Sequence, residues 1–151
     1  QVHLCLGTPA YRQGHPRRLA GVVQLADWWQ GRAPVADSWR ALQGRPLLAT
    51  AGTAAPERFF AMLREHGLSV AVTRPLPDHD PLDTLPWRPG TPDVVMTEKD
   101  AVKLPPERAA RDGGATRIWV VPLDLEPDVP FAAALKRHFP HPPRLETPTL
   151  P

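Results

Sequence analysis

Cysteine, lysine and long apolar runs are scarce in this chain, and each scarcity excludes something. The single Cys5 in 151 residues rules out an internal disulfide and fits a reducing compartment. No apolar stretch approaches the roughly 18 residues of a membrane-crossing helix. Only three of the 18 basic residues are lysine, and the formal net charge is +2. No basic run exceeds Arg17-Arg18, acids are interspersed throughout, and no basic stripe with interleaved aromatics or zinc-ligand spacing occurs, so a nucleic-acid partner is not expected. Neither GxxxxGK(S/T) nor GxGxxG is present, and HExxH, HxxxH and CxxC are absent as well. A phosphate-binding P-loop and a metal centre built from this chain alone are therefore not expected. No signal peptide precedes the first strand-like segment. The chain opens at Gln1, without Met, directly into the apolar run Val2 to Leu6, as a cut through a longer protein would.

What is present is globular. Hydrophobic content of 42% and charge of 23% are ordinary, and a chain of this length fits one domain that buries about two-thirds of its unfolded surface. The 21 prolines are the outlier. They gather at Pro75 and Pro77, Pro86 and Pro89, Pro105 and Pro106, and from Pro140 to Pro143, which predicts short elements joined by rigid loops.

Residues 1–45 hold the strand candidates Val2–Leu6 and Leu19–Leu25, separated by turn-rich pieces such as residues 11–16. They read as a β-ribbon or extension. Trp28, Trp29 and Trp39 follow and are expected to pack rather than to touch lipid. Residues 46–139 alternate between strand and helix signals. Leu47–Ala51 is a compact apolar strand closed by Gly52, and Pro56 with Glu57 opens a helix that Gly67 ends. Leu68–Val72 is the next strand, and residues 74–90 form a proline-rich loop with room for one helical turn. Asp93–Thr97 and Arg117–Pro122 are further strands, and Pro130–Phe139 is a last helix. The pattern predicts an α/β fold, a small mostly parallel sheet with right-handed crossovers and flanking helices. Residues 140–151 form a proline-rich tail expected to be extended or disordered.

Two stretches could carry chemistry. In VVMTEKDAVK (94–103) an apolar strand stops at Thr97 and is followed by Glu98, Lys99, Asp100 and Lys103, at the sheet edge where ligands of α/β folds bind. Thr97 and Asp100 have capping-box spacing, so a well-capped structural helix start is one reading. Lys99 and Lys103 lie one turn apart on one face, so phosphate binding, with Thr97 beside it, is the other. Spacing does not choose between them. In Leu76-Pro77-Asp78-His79-Asp80, two carboxylates flank a histidine on a loop after a strand. A carboxylate beside a histidine orients its ring and raises its basicity, as a general base near neutral pH requires. The same triplet suits a divalent metal or a solvated turn capped by Asp78. Gly52-Thr53-Ala54-Ala55-Pro56 leads from a strand to a helix start, a place where anions can bind, although a plain turn is the favoured reading.

Taken together, AGTAAPERFFAMLREHGL (51–68), LPDHD (76–80), VVMTEKDAVKL (94–104) and RIWVVPLD (117–124) resemble one family, the tetraacyldisaccharide 4′-kinases that phosphorylate lipid A precursors in Gram-negative bacteria. The resemblance spans about residues 46–125 and corresponds to the carboxyl-terminal half of such a kinase. It implies a P-loop-kinase-like carboxyl-terminal subdomain. It also implies transfer of the ATP γ-phosphoryl group, with Mg²⁺, to the 4′-hydroxyl of a tetraacyldisaccharide 1-phosphate. The implied place is the cytoplasmic face of the inner membrane, which the full-length protein contacts peripherally. The family's P-loop, metal-binding carboxylates and amino-terminal membrane helix belong to the other half, so the present chain alone is expected to be inactive. By the same resemblance the family's loop histidine falls on His79, which works with an aspartate of the other half to activate the attacking hydroxyl, with Asp78 beside it. Asp80 stands where the family usually has a second histidine, and Gly52-Thr53-Ala54-Ala55-Pro56 stands for its GIGxP turn.

Two other readings compete. One is a non-catalytic anion-binding or regulatory α/β domain. The other is a metal-dependent phosphoesterase built on Asp78, His79 and Asp80, which needs more ligands than the sequence displays.

Overall fold

The computed structural model describes residues 17–19 and 21–125. The expected strand Val2–Leu6, the turn-rich residues 11–16, the expected helix Pro130–Phe139 and the proline-rich tail lie outside them. The chain divides into two units, Arg18–Asp124 and the combination of Gln1–Arg17 with Leu125–Pro151.

In chain order the elements are β1 (Arg17–Leu19), β2 (Val23–Gln24), α1 (Leu25–Trp29), a 3-10 turn (Ser38–Leu42), β3 (Leu47–Ala51), α2 (Pro56–Glu65), β4 (Val70–Pro75), β5 (Asp93–Thr97), α3 (Glu98–Ala101), α4 (Pro106–Gly113), β6 (Arg117–Val121) and β7 (Leu123–Leu125). β1 and β7 pair with each other in a two-stranded sheet. The main sheet has the order β2-β6-β5-β3-β4, with β4, β3, β5 and β6 mutually parallel and β2 antiparallel at the edge. This is the mostly parallel α/β sheet that the alternating strand and helix signals predict.

β3 (LLATA) and β5 (DVVMT) are buried at every position because layers cover both faces of the sheet. One layer packs Leu42, Phe59, Phe60 and Leu63 from the 3-10 turn and α2 onto Leu47, Ala49, Val95 and Val121. The other packs Leu25, Ala101, Leu104 and Ala109 from α1, α3 and the α4 region, with Leu82 and Trp87, onto Leu48, Val94, Met96 and Val120.

Local differences from the sequence expectation have clear causes. β4 begins at Val70 rather than Leu68. Gly67, at φ 78°, closes α2 in the left-handed region, and the Leu68 amide donates to the Leu63 carbonyl at 3.1 Å. Leu68 is thus the buried apolar residue of a helix cap. The stretch read as strand Leu19–Leu25 divides instead into part of β1, β2 and the start of α1. Residues 21–45 contribute β2, α1 and the 3-10 turn to the same unit as the sheet. α4 was not expected. Pro105-Pro106 reads as a rigid connection, yet Pro106 occupies the first turn with Glu107 beside it, the signal that starts α2 at Pro56-Glu57. Residues 76–92 hold turns and bends rather than a helical turn.

The starting edge of the sheet is fastened at Asp93, whose side chain is 2% exposed. Its oxygens accept two hydrogen bonds of 2.8 Å from the Arg117 guanidinium and one of 3.0 Å from the Trp119 indole, and Arg45 lies 3.7 Å away. Since Asp93 faces Arg117 in the β5–β6 ladder, the fork fixes that register. Burial pushes the carboxyl pKa up. The Arg117 and Trp119 hydrogen bonds and the Arg117 and Arg45 charges outweigh it, so the group titrates below its ordinary value. A depressed folded-state pKa gives stability that is fully present above the unfolded value of about 3.9 and is lost as pH falls through the folded value. Asp93→Asn is expected to lower the unfolding free energy near neutral pH by about 1–3 kcal/mol, because both arginines can turn to solvent when the carboxylate is gone. Thermal unfolding from pH 7 to pH 2 checks it: below about pH 4 the wild-type midpoint should fall more steeply than that of the variant.

Candidate functional site

β5, β3 and β4 are neighbours in the sheet and run parallel, so their carboxyl ends bring three junctions together. These are the Gly52 turn after β3, the loop 76–80 after β4, and Thr97 to Lys103 after β5. Every residue nominated from sequence lies here, and the side chains of the third junction reach into the other two.

Asp100 is the centre of the arrangement and is fully buried. One carboxylate oxygen, Oδ2, accepts from the Gly52 amide at 2.8 Å and from the Thr97 hydroxyl at 2.7 Å. The other, Oδ1, accepts from Lys103 Nζ at 3.3 Å. Thr97 does cap α3, accepting the Asp100 amide at 3.3 Å, but Asp100 does not complete a conventional capping box. Its carboxylate joins the Thr97 hydroxyl to the turn after β3. Gly52 is required by this approach: a Cβ there would lie 2.7 Å from Asp100 Oδ1 and 3.3 Å from the Pro77 carbonyl. The sequence offered a signal for both residues, a glycine directly after a buried strand and an acid three positions after a capping threonine. It did not say that they would meet.

The two lysines share one face of the α3 turn, as their spacing requires, and that face looks onto the loop. Lys99 Nζ donates to the Gly52 carbonyl at 3.1 Å and to Asp78 Oδ1. Lys103 Nζ donates to the Asp80 carbonyl at 2.8 Å. Both cations nominated for phosphate therefore have internal acceptors and hold the loop on either side of His79. Asp80 is turned inward to its own backbone, accepting the Leu82 amide at 2.7 Å. Beyond it Leu82 is fully buried, and Arg108 donates to the carbonyls of Leu82 and Asp83, the latter at 2.9 Å.

Pro77 to Asp80 form a tight turn in which the Asp80 amide donates to the Pro77 carbonyl at 3.1 Å. His79 occupies its left-handed position, at φ 62°. Such a conformation is uncommon for a non-glycine residue and costs of order 1 kcal/mol. It turns the imidazole outward: the side chain is 84% exposed, with Nε2 3.6 Å from Asp78 Oδ2. The Asp78 carboxyl is held below its ordinary pKa, first by the Lys99 hydrogen bond, against a desolvation penalty, and then by the nearby His79 and Lys99 charges. An ionised carboxylate thus stands beside an accessible imidazole. That pair can accept and stabilise a proton taken from a bound group.

Among the described residues no three acidic, imidazole or thiol groups are placed to hold a metal ion together. Asp78 faces Lys99 while Asp80 faces the Leu82 amide, so the Asp78-His79-Asp80 triplet does not converge on one point. A groove of about 670 Å³ lies elsewhere, between Leu47, Leu48, Val72 and Trp87, and none of the nominated residues lines it. Among the described residues no helix is long and apolar enough to cross a membrane. The adjoining α1 is tied to this region by its tryptophans, Trp28 donating to Glu98 at 3.0 Å and Trp29 to the Leu104 carbonyl at 3.1 Å.

Replacing Asp100 by alanine is expected to remove about 3–5 kcal/mol of stability, because it strands the buried Gly52 amide and the Thr97 hydroxyl and leaves Lys103 without its neighbouring carboxylate. Urea unfolding of the two proteins measures it. A loss below about 1 kcal/mol, the scale of an exposed ion pair, would refute this central role.

Comparison with known proteins places the chain. The family model described as tetraacyldisaccharide-1-P 4′-kinase matches residues 11–140. A tetraacyldisaccharide 4′-kinase of Methylibium petroleiphilum is 52% identical over 128 residues, which cover 85% of this chain and 36% of that protein. The Leptothrix cholodnii protein of the same name is 46% identical over 124 residues, covering 82% and 35%. Among solved structures, LpxK from Aquifex aeolicus in complex with ATP superposes with a TM-score of 0.53 at 18% identity, covering 82% of this chain and 35% of that one, a likeness of fold. The chain spans little more than a third of the length of these relatives. With the family model matching most of its length, this chain belongs to the tetraacyldisaccharide-1-P 4′-kinase family.

Proposed function

We propose that this chain is the carboxyl-terminal part of a lipid A 4′-kinase and supplies one wall of its active site, with His79 as the base. The complete enzyme would transfer the γ-phosphoryl group of ATP to the 4′-hydroxyl of a tetraacyldisaccharide 1-phosphate at the cytoplasmic face of the inner membrane. Family membership supports the reaction class, and the observation that carries the role of His79 is its exposed ring beside the ionised Asp78 at the carboxyl edge of the sheet.

The division of labour follows from the residues. This chain has no P-loop sequence, so ATP and its Mg²⁺ would be held mainly by the remainder of the kinase. His79 would accept the proton of the acceptor hydroxyl as that oxygen attacks phosphorus, and Asp78 would stabilise the imidazolium that forms. Positioning and charge stabilisation supply most of the acceleration in phosphoryl transfer, so one wall of a cleft should be inactive alone. The anion-binding reading draws no added support, since Lys99 and Lys103, its best cations, already bond to internal acceptors.

In a complete kinase carrying this segment, His79→Ala should lower kcat by about 10²- to 10⁴-fold, the usual contribution of a general base. Steady-state kinetics with ATP and the disaccharide acceptor give the measurement. Wild-type turnover in that variant would remove the catalytic role.

A further inference from the structure

Lys99 stands between a rigid support and the loop that carries the imidazole. Behind it, the Gly52 carbonyl accepts from Nζ at 3.1 Å, and the Gly52 amide is itself fixed by the fully buried Asp100 at 2.8 Å. In front of it, Nζ donates to Asp78 Oδ1. The second oxygen of the same carboxylate, Oδ2, is the one that faces His79 Nε2 at 3.6 Å. Asp78 is therefore a bridge with one oxygen on Lys99 and the other toward the imidazole. The ring is largely exposed, and among the described residues Asp78 is the carboxylate that approaches it. One helical turn on, Lys103 holds the carbonyl of Asp80, the residue that follows His79.

We propose that Lys99 is a positioning residue for His79, acting through Asp78: it transmits the rigidity of the buried Asp100–Gly52 junction to the ring that takes the proton. This rests on the reading of His79 as the base.

Relative magnitudes separate this role from a structural one. The Lys99 and Asp78 side chains are 41% and 48% exposed, and a pair so open to solvent adds little to stability. A reacting group misplaced by an ångström, however, can cost about 10²-fold in rate. Loss of the lysine should therefore be felt in turnover far more than in folding. A phosphate-binding lysine would behave differently, since its loss weakens binding of the anionic substrate and raises KM.

The test uses a complete kinase carrying this segment, with Lys99→Met, Lys99→Arg, Asp78→Asn, the Lys99→Met/Asp78→Asn double variant and His79→Ala, each assayed for kcat, for KM toward ATP and the acceptor, and for the thermal midpoint. Lys99→Met is expected to lower kcat roughly 10- to 100-fold with both KM values within about twofold of wild type. Lys99→Arg, which keeps the charge and the donors, should recover most of the loss. The double variant should be no slower than the slower single variant, because the two side chains act in series. An unchanged kcat in Lys99→Met beside an inactive His79→Ala overturns the inference and leaves the base intact. A wild-type kcat in His79→Ala overturns the base and the inference together. A raised acceptor KM at unchanged kcat makes Lys99 a substrate ligand and also overturns it, as do losses that multiply in the double variant. Should Lys99→Met fail to fold, Lys99→Gln, which keeps the polar end but not the charge, decides: a kcat loss with unchanged KM and an unchanged thermal midpoint supports the bridge, and a wild-type kcat refutes it.

Discussion

The site hangs on one buried carboxylate. Asp100 is out of contact with solvent, and a charge in that position is tolerated only when donors surround it. Its donors come from two places: the Gly52 amide at the end of β3, and the Thr97 hydroxyl and Lys103 ammonium at the end of β5 and the turn of α3. The carboxylate is satisfied only when both junctions are in register at once. It consequently ties the local geometry of the edge to the correct assembly of the sheet, and the loop after β4 is attached to that edge through Lys99 and Lys103.

β5 is thereby fastened at both ends by an acid. Asp93 at its start takes the Arg117 fork and the Trp119 indole, which sets the register against β6. Asp100 just beyond its end takes the Gly52 amide, which sets its relation to β3. Between them Val94, Val95 and Met96 are fully buried with a layer on each face. A central strand held in this way is a stiff base for the outward-turned loop. Stiffness matters here because the imidazole at position 79 is largely exposed, and its direction depends on the loop that carries it.

Sequence reasoning read the regular parts well where the physics is local. The apolar run Leu47–Ala51, the Pro56-Glu57 helix start and the strand Asp93–Thr97 all fold as their patterns require. It misread signals that tertiary context reassigns. Leu68 looked like the start of a strand and serves as the apolar seal of a helix cap. Pro105-Pro106 looked like a break and begins a helix. At the site, the spacing of Lys99 and Lys103 correctly placed them on one face. What that face meets is another loop of the same chain, about 20 positions earlier in sequence and brought alongside by the parallel order of β4, β3 and β5.

By itself the sequence determined the α/β pattern, the family motifs and the identity of the chemical groups at the sheet edge, because periodicity, capping and residue type are properties of neighbouring positions. Only the tertiary structure decided how those groups are connected: that Asp100 joins two junctions instead of closing a simple capping box, that Gly52 must lack a side chain, and that Lys99 holds Asp78 beside His79. Those relations depend on which strand ends lie side by side. That order is fixed by burying both faces of the sheet, a long-range condition that local spacing does not encode.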